Sequence, residues 1–182
     1  MRVAPKLWTL GMIMVLASCV RPAAPEPAPA PAPAPPPAPV PEPAPAPPPV
    51  AWTDRAATPG DWTYRSDTGG SVALFGQPNA GAQFAIRCER AQRRIQIARP
   101  GVLDAGRTAR MTLTATSGSR AYNLSNVAGE VPMVGASLAA TDPFLDQIAY
   151  TRGRFLVQTD GAADMVLPAW AEVSRVVEDC RG

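Results

Sequence analysis

The chain has 182 residues, with 17 Lys and Arg against 15 Asp and Glu, 23 prolines and no histidine. Histidine-dependent chemistry is therefore excluded, whether a Ser-His-Asp triad, a Cys-His pair or a His-ligated metal. Once a proline-rich stretch is set aside, the length accommodates one domain of ordinary size.

Met1 to Lys6 carries Arg2 and Lys6, and Leu7 to Ala17 is an apolar run, the pattern of a secretory signal. A helix of that length rises only about 16 Å, whereas the hydrocarbon core of a bilayer is about 30 Å thick. The run closes on Leu16-Ala17-Ser18-Cys19. These residues resemble the lipobox of bacterial lipoproteins. The resemblance implies that residues 1–18 are removed as a signal peptide, that Cys19 carries a diacylglycerol, and that its new amino group is acylated. Two or more chains anchor stably, each buried methylene contributing about 0.8 kcal/mol. In that family an Asp after the cysteine retains the protein at the inner membrane. Val20 stands there instead, so the resemblance implies a lipid anchor in the outer membrane, on its periplasmic face.

Removing Arg2 and Lys6 from the 17 basic residues leaves 15, all Arg, against 15 acidic ones. This balance provides no global field to steer nucleic acid, so no nucleic-acid partner is expected. With no lysine left, a Ser-Lys dyad is excluded, and Gly-x-Ser-x-Gly is absent as well. A P-loop, a dinucleotide fingerprint and a calcium loop are also missing, so no cofactor, no metal and no catalytic residue is nominated.

After Cys19, the segment to residue 50 is a tether. Pro22 to Val50 is nearly all Pro and Ala, with Glu26 and Glu42 as its only charges. Proline removes backbone donors and fixes φ, so the segment is predicted to be a polyproline II rod reaching on the order of 90 Å if straight.

Residues 51–182 read as a mainly β (α+β) domain, a small antiparallel β-sandwich or half-open barrel. Strands are predicted at 62–66 and 71–76 across the turn Asp67-Thr68-Gly69-Gly70, then at 83–88 and 93–99. Further strands follow at 109–116, 120–125, 135–139, 154–159 and 164–167. Phe84, Ile86 and Cys88 share one face with Gln83 and Arg87 opposite, and Met111, Leu113 and Ala115 alternate with Arg110, Thr112 and Thr114. A mid-domain helix is predicted from Phe144 to Tyr150, with Asp142 as N-cap and Pro143 at its first position. A terminal helix is predicted over 168–180, with Trp170, Val173, Val176, Val177 and Cys180 on its apolar face. Trp62 is a core candidate; Trp52 and Trp170 read as packing residues.

Cys88 and Cys180 then both sit on buried faces, in a compartment that oxidises thiols, and are expected to be bonded. Arg152-Gly153-Arg154 has the composition of an anion or partner contact; the plainer reading pairs these arginines with Asp146 and Asp160. Arg90, Arg93 and Arg94 read as a solvated hairpin tip. In general form the domain resembles small β-rich envelope proteins of proteobacteria, with one mid-domain cysteine and a closing helix that ends in another. That resemblance carries no catalytic residues. The Asn-x-x-Leu-x-x-x-Arg pattern of peptidoglycan-associated lipoproteins is absent.

The expected function is a non-enzymatic binding or structural module, attached to the membrane by lipid and facing a cell-wall or envelope-protein partner. Two alternatives stand beside it. One is a histidine-free cell-wall hydrolase, which requires two of Asp54, Asp61, Asp67, Asp104 and Glu130 to meet in a cleft. The other is an accessory subunit of an envelope assembly.

Overall fold

The computed structural model of the protein describes residues 50–182. The signal sequence, Cys19 and the proline-rich run through residue 49 lie outside the described residues. In chain order the strands are β1 (Asp61–Asp67), β2 (Gly70–Gly76), β3 (Phe84–Glu89), β4 (Arg94–Pro100), β5 (Arg110–Ala115) and β6 (Gly118–Asn123). They continue as β7 (Ser125–Val127), β8 (Met133–Ala139), helix α1 (Pro143–Ala149), β9 (Arg154–Thr159), β10 (Ala162–Pro168) and helix α2 (Ala171–Arg181). Two sheets result, a six-stranded one in the order β1-β2-β3-β4-β8-β7 and a four-stranded one in the order β10-β9-β5-β6. Every pair is antiparallel. The mainly β, two-helix architecture expected from the sequence is the one observed.

The β1–β2 hairpin closes as its sequence predicts. Asp67 Oδ1 accepts from the backbone N–H of Gly69 at 2.8 Å and of Gly70 at 2.9 Å, an Asx turn, while Oδ2 pairs with Arg87 at 2.8 Å. Gly70 has φ 154°, and a Cβ there would lie 2.1 Å from the carbonyl oxygen of Cys88. Only glycine lets β2 approach β3 so closely at this point.

Strand register fixes the inner face of the larger sheet. Tyr64, Ala73, Ile86, Ile97 and Ala136 form one row across it, and Ser66, Ser71, Cys88, Ile95 and Leu138 another. The smaller sheet contributes the buried residues Met111, Leu113, Phe155, Val157, Met165 and Leu167. The two sheets meet where Phe84 and Phe155 stack edge to face, 6.4 Å between centroids. Trp62, 5% exposed, packs 5.3 Å from Phe75 and donates its indole N–H to the Pro168 carbonyl at 2.8 Å, a second tie between the sheets.

α2 covers the rest of that inner face. Val173, Val176, Val177 and Cys180 are buried against β2 and β3, each valine contributing on the order of 1.5–3 kcal/mol by apolar burial. The predicted disulfide is present: Cys88 and Cys180 are bonded, 5.3 Å apart at Cα and 92 residues apart in sequence. Arg181 donates to the Ala140 carbonyl at 2.9 Å and to both oxygens of Asp146 in α1, at 2.7 and 3.1 Å. Asp142 caps α1 by accepting from Phe144 N–H at 2.9 Å, with Pro143 at the first position, as its sequence predicts.

Four expectations are corrected. α2 starts at Ala171 rather than Pro168, because Pro168 is still the last rung of β10, paired with Arg154. Trp170 is therefore the N-cap residue, 44% exposed, and not part of the apolar face. Ser125–Val127 is a separate short strand on β8, and β8 begins at Met133 rather than Gly135. Gln83 precedes β3 and does not continue its alternation to the wet side; it is half-buried between the sheets.

Opening the Cys88–Cys180 loop raises the entropy of the unfolded chain. Reduction, or the C88A/C180A double substitution, is expected to cost at most about 4–5 kcal/mol of stability, read as a fall in urea midpoint against the oxidised protein.

Candidate ligand site at the mouth between the sheets

The alternation that buries Ile95 and Ile97 carries one step further, to Arg99, so a guanidinium enters the space between the sheets at the end of β4. Its Nη1 donates to the Ala163 carbonyl in β10 at 3.1 Å. Burial lowers the pKa of Arg99 below its ordinary value, and the charge of Asp164 opposes that shift. Two cavities open beside it, of about 310 and about 190 Å³, and Arg99 and Pro100 line both. The larger is completed by Thr58, Gln83, Asp164 and Met165. The smaller is walled by Leu124, Val134 and Thr159 among others.

Thr159 reaches the inside by the same parity, following Phe155 and Val157 along β9, and is 8% exposed. Among the described residues, Gln83 Oε1 and Arg99 Nε, from the walls of the larger cavity, and Thr159 Oγ1, from the wall of the smaller, are shielded from solvent and have no hydrogen-bond partner. Leaving such a group unpaired costs about 1–3 kcal/mol. Two carboxylates flank the mouth. Asp164 is ion-paired with Arg55 at 2.9 Å, and Asp160 accepts the backbone N–H of Arg110 at 2.9 Å.

The arginines singled out from the sequence are placed differently. Arg154 Nη1 donates to the Arg55 carbonyl at 2.6 Å, tying β9 to the segment that enters the domain, while Arg152 stays exposed after α1. Neither pairs with Asp146, which holds Arg181, nor with Asp160. Arg90 and Arg93 do form an exposed turn, but Arg93 also donates to the Arg181 carbonyl at 2.8 Å, at the end of α2. The carboxylates considered for hydrolysis are dispersed: Asp61 and Asp67 stand at opposite ends of β1, and Asp67 is engaged with Arg87. Asp54, Asp104 and Glu130 lie on three other segments. No protein-family model, curated protein or solved structure matches the chain.

A second polar cluster fixes α2 rather than forming a cavity. Tyr64 OH donates to Asp179 at 2.7 Å, and the Arg175 guanidinium lies 4.1 Å over the Tyr64 ring. Burial pushes the Asp179 carboxyl up, but the Ser71 and Tyr64 hydroxyls, with the charges of Arg175 and Arg90, outweigh it and hold the pKa below its ordinary value. Of the two hydroxyls, only that of Tyr64 bonds Asp179 with good geometry; Ser71 Oγ is buried without a partner. Asp67 is also lowered, chiefly by Arg87 and then by the Gly69 N–H.

Both carboxyls therefore stabilise the fold fully above their ordinary value of 3.8, and that contribution is lost as pH falls through their lower folded values. The urea midpoint is expected to hold down to about pH 5 and to drop below about pH 4, with D179N giving a shallower drop than the native chain.

Proposed function

We propose that this is a lipid-anchored protein of the bacterial cell envelope, held at the periplasmic face of the outer membrane through Cys19, whose domain works as a non-enzymatic binding module for a cell-wall or envelope-protein partner. The observation that carries the reading is Leu16-Ala17-Ser18-Cys19 placed directly after an eleven-residue apolar run. Three features support it. The Cys88–Cys180 bond belongs to a chain that matures where thiols are oxidised. The Pro/Ala run between Cys19 and the domain is a spacer of envelope scale, needed where a target is remote from the anchor. Two cavities open at the mouth between the sheets, both lined by Arg99.

Non-enzymatic binding suits the composition, since without histidine, and without lysine after processing, the commonest general base and the amine nucleophile are missing. The native chain is expected to fractionate with the outer membrane, to carry the mass of a diacylglycerol and an acyl chain, and to show no free thiol on alkylation without reductant. Cys19→Ala is expected to release it to the soluble fraction. A native chain that is soluble and unacylated overturns the reading.

A further inference from the structure

We propose that two copies of this chain pair through the free edge of β1, antiparallel about a two-fold axis at Thr63, so that their larger sheets join into one. β1 is the outermost strand of its sheet, seven residues long, and pairs with β2 in unbroken register. Among the described residues only β2, along one edge, and α2, over the inner face, pack extensively on it. The Phe75 carbonyl faces β3, where it accepts the Gln83 N–H at 2.7 Å, and the backbone groups of successive residues turn to opposite edges of a strand. Val72, Leu74 and Gly76 therefore face β1 and bond Arg65, Thr63 and Asp61, which leaves the N–H and C=O of Trp62, Tyr64 and Ser66 directed at the open edge. No loop or cap among the described residues bonds the backbone of these three.

Charge selects the occupant and the register. Asp61, Thr63 and Arg65 are exposed on the solvent face of β1 and border a cavity of about 350 Å³, so open space rather than packed chain lies against them. Neither Asp61 nor Arg65 has an ion pair among the described residues; about 13 Å apart along the strand, they do not pair with each other. A second β1, antiparallel with Thr63 opposite Thr63, sets each Asp61 against the partner's Arg65, and Trp62 against the partner's Tyr64 as a hydrogen-bonded pair. Centred on Tyr64 the strands oppose Asp61 to Asp67, and centred on Arg65 they oppose two arginines. Centred on Ser66, Arg65 meets Asp67, which already holds Arg87 and the turn. The other edges lack such a match: β10 is bulged and its Val166 covered by Thr58, β7 has three residues, and β6 turns only Ser119, Ala121 and Asn123 away from the core. Opposed residues share a face, so both smaller sheets and both entering segments, held at β10 by Thr58, lie on one side of the joined sheet. The pairing closes at two copies.

The test uses the full-length chain in intact cells under a mild oxidant. Thr63→Cys places a thiol on the axis, where a non-hydrogen-bonded pair holds its Cα atoms about 4.5 Å apart, within reach of a disulfide. T63C is expected to run as a dimer without reductant, with the peptide that contains position 63 joined to itself by mass spectrometry. S66C, which lies on the axis only in the register centred on Ser66, is expected to give at most about a tenth as much dimer. D61R added to T63C sets arginines opposite each other at two places and is expected to cut the crosslinked fraction about tenfold; D61R/R65D in T63C exchanges the charges and restores it.

Asp61 and Arg65 are exposed, so D61R and D61R/R65D are expected to melt with the native chain, which separates lost pairing from lost fold. The absence of a T63C dimer, an equal yield from S66C, a dimer that D61R leaves unchanged or that the exchange does not restore, or T63C joined to a different protein overturns the proposal. Crosslinking precedes fractionation, so the outcome is independent of the lipid anchor: a soluble chain that dimerises through T63C removes the address alone, and a membrane-held chain that does not dimerise removes the pairing alone.

Discussion

The inner face of a six-stranded sheet is wider than the four-stranded sheet that packs on it, and that mismatch governs the rest of the structure. Ile95, Ile97, Cys88 and Ala73 have to be kept from water along the whole strand length, yet the smaller sheet reaches only part of the way. α2 supplies the missing cover. An eleven-residue helix is marginal by itself, so its position depends on what pins it. Cys180 fixes its last turn to β3, Arg181 ties it to α1, and Asp179 takes a hydrogen bond from Tyr64 on β1. The disulfide is the strongest of these because it acts on the unfolded chain as well as the native one.

The two sheets are linked by chain that passes between them. β6 of the smaller sheet runs through Leu124 into β7 of the larger one, and Leu124 N–H donates to the Ala109 carbonyl at 2.9 Å at the crossing. At the opposite edge, Val166 of β10 is kept from presenting free backbone groups. Thr58 N–H donates to the Val166 carbonyl at 2.8 Å, and Val166 N–H to the Thr58 hydroxyl at 2.9 Å. A covered edge is protected against pairing with a second chain. The segment that performs this covering is the one through which the chain enters the domain.

Much of this was legible in the sequence. Alternation placed the β3 and β5 faces correctly, the Asp-Thr-Gly-Gly turn and the Asp142 cap formed as their chemistry dictates, and helical spacing put Cys180 inward. The misreadings share a cause. Trp170 fits a helical apolar period, but Pro168 is committed to β10, and a period cannot show that the preceding strand runs on. Ser125–Val127 is too short to carry a period of its own. The mouth was missed for another reason: Arg99 and Thr159 end strands whose earlier residues, Ile95 and Ile97 or Phe155 and Val157, already assign that parity to the core. Parity alone pointed them inward, whereas polarity suggested solvent. Gln83 was misplaced because its strand starts one residue later than the alternation implied.

The two ends of the larger sheet hold their polar groups differently, although each keeps a buried hydroxyl without a partner, Ser71 at one and Thr159 at the other. At the α2 end, Asp179 has a hydroxyl donor and nearby arginines, and the helix is bonded down over it. At the Arg99 end no α-helix of the described residues packs over the sheet, and β4 ends at Pro100. A protein selected for stability alone would fill such an end with apolar side chains, since burying unpaired polar atoms lowers stability without improving packing. Arg99, Gln83 and Thr159 come from three different strands or their flanks, so no local preference of one segment explains their convergence.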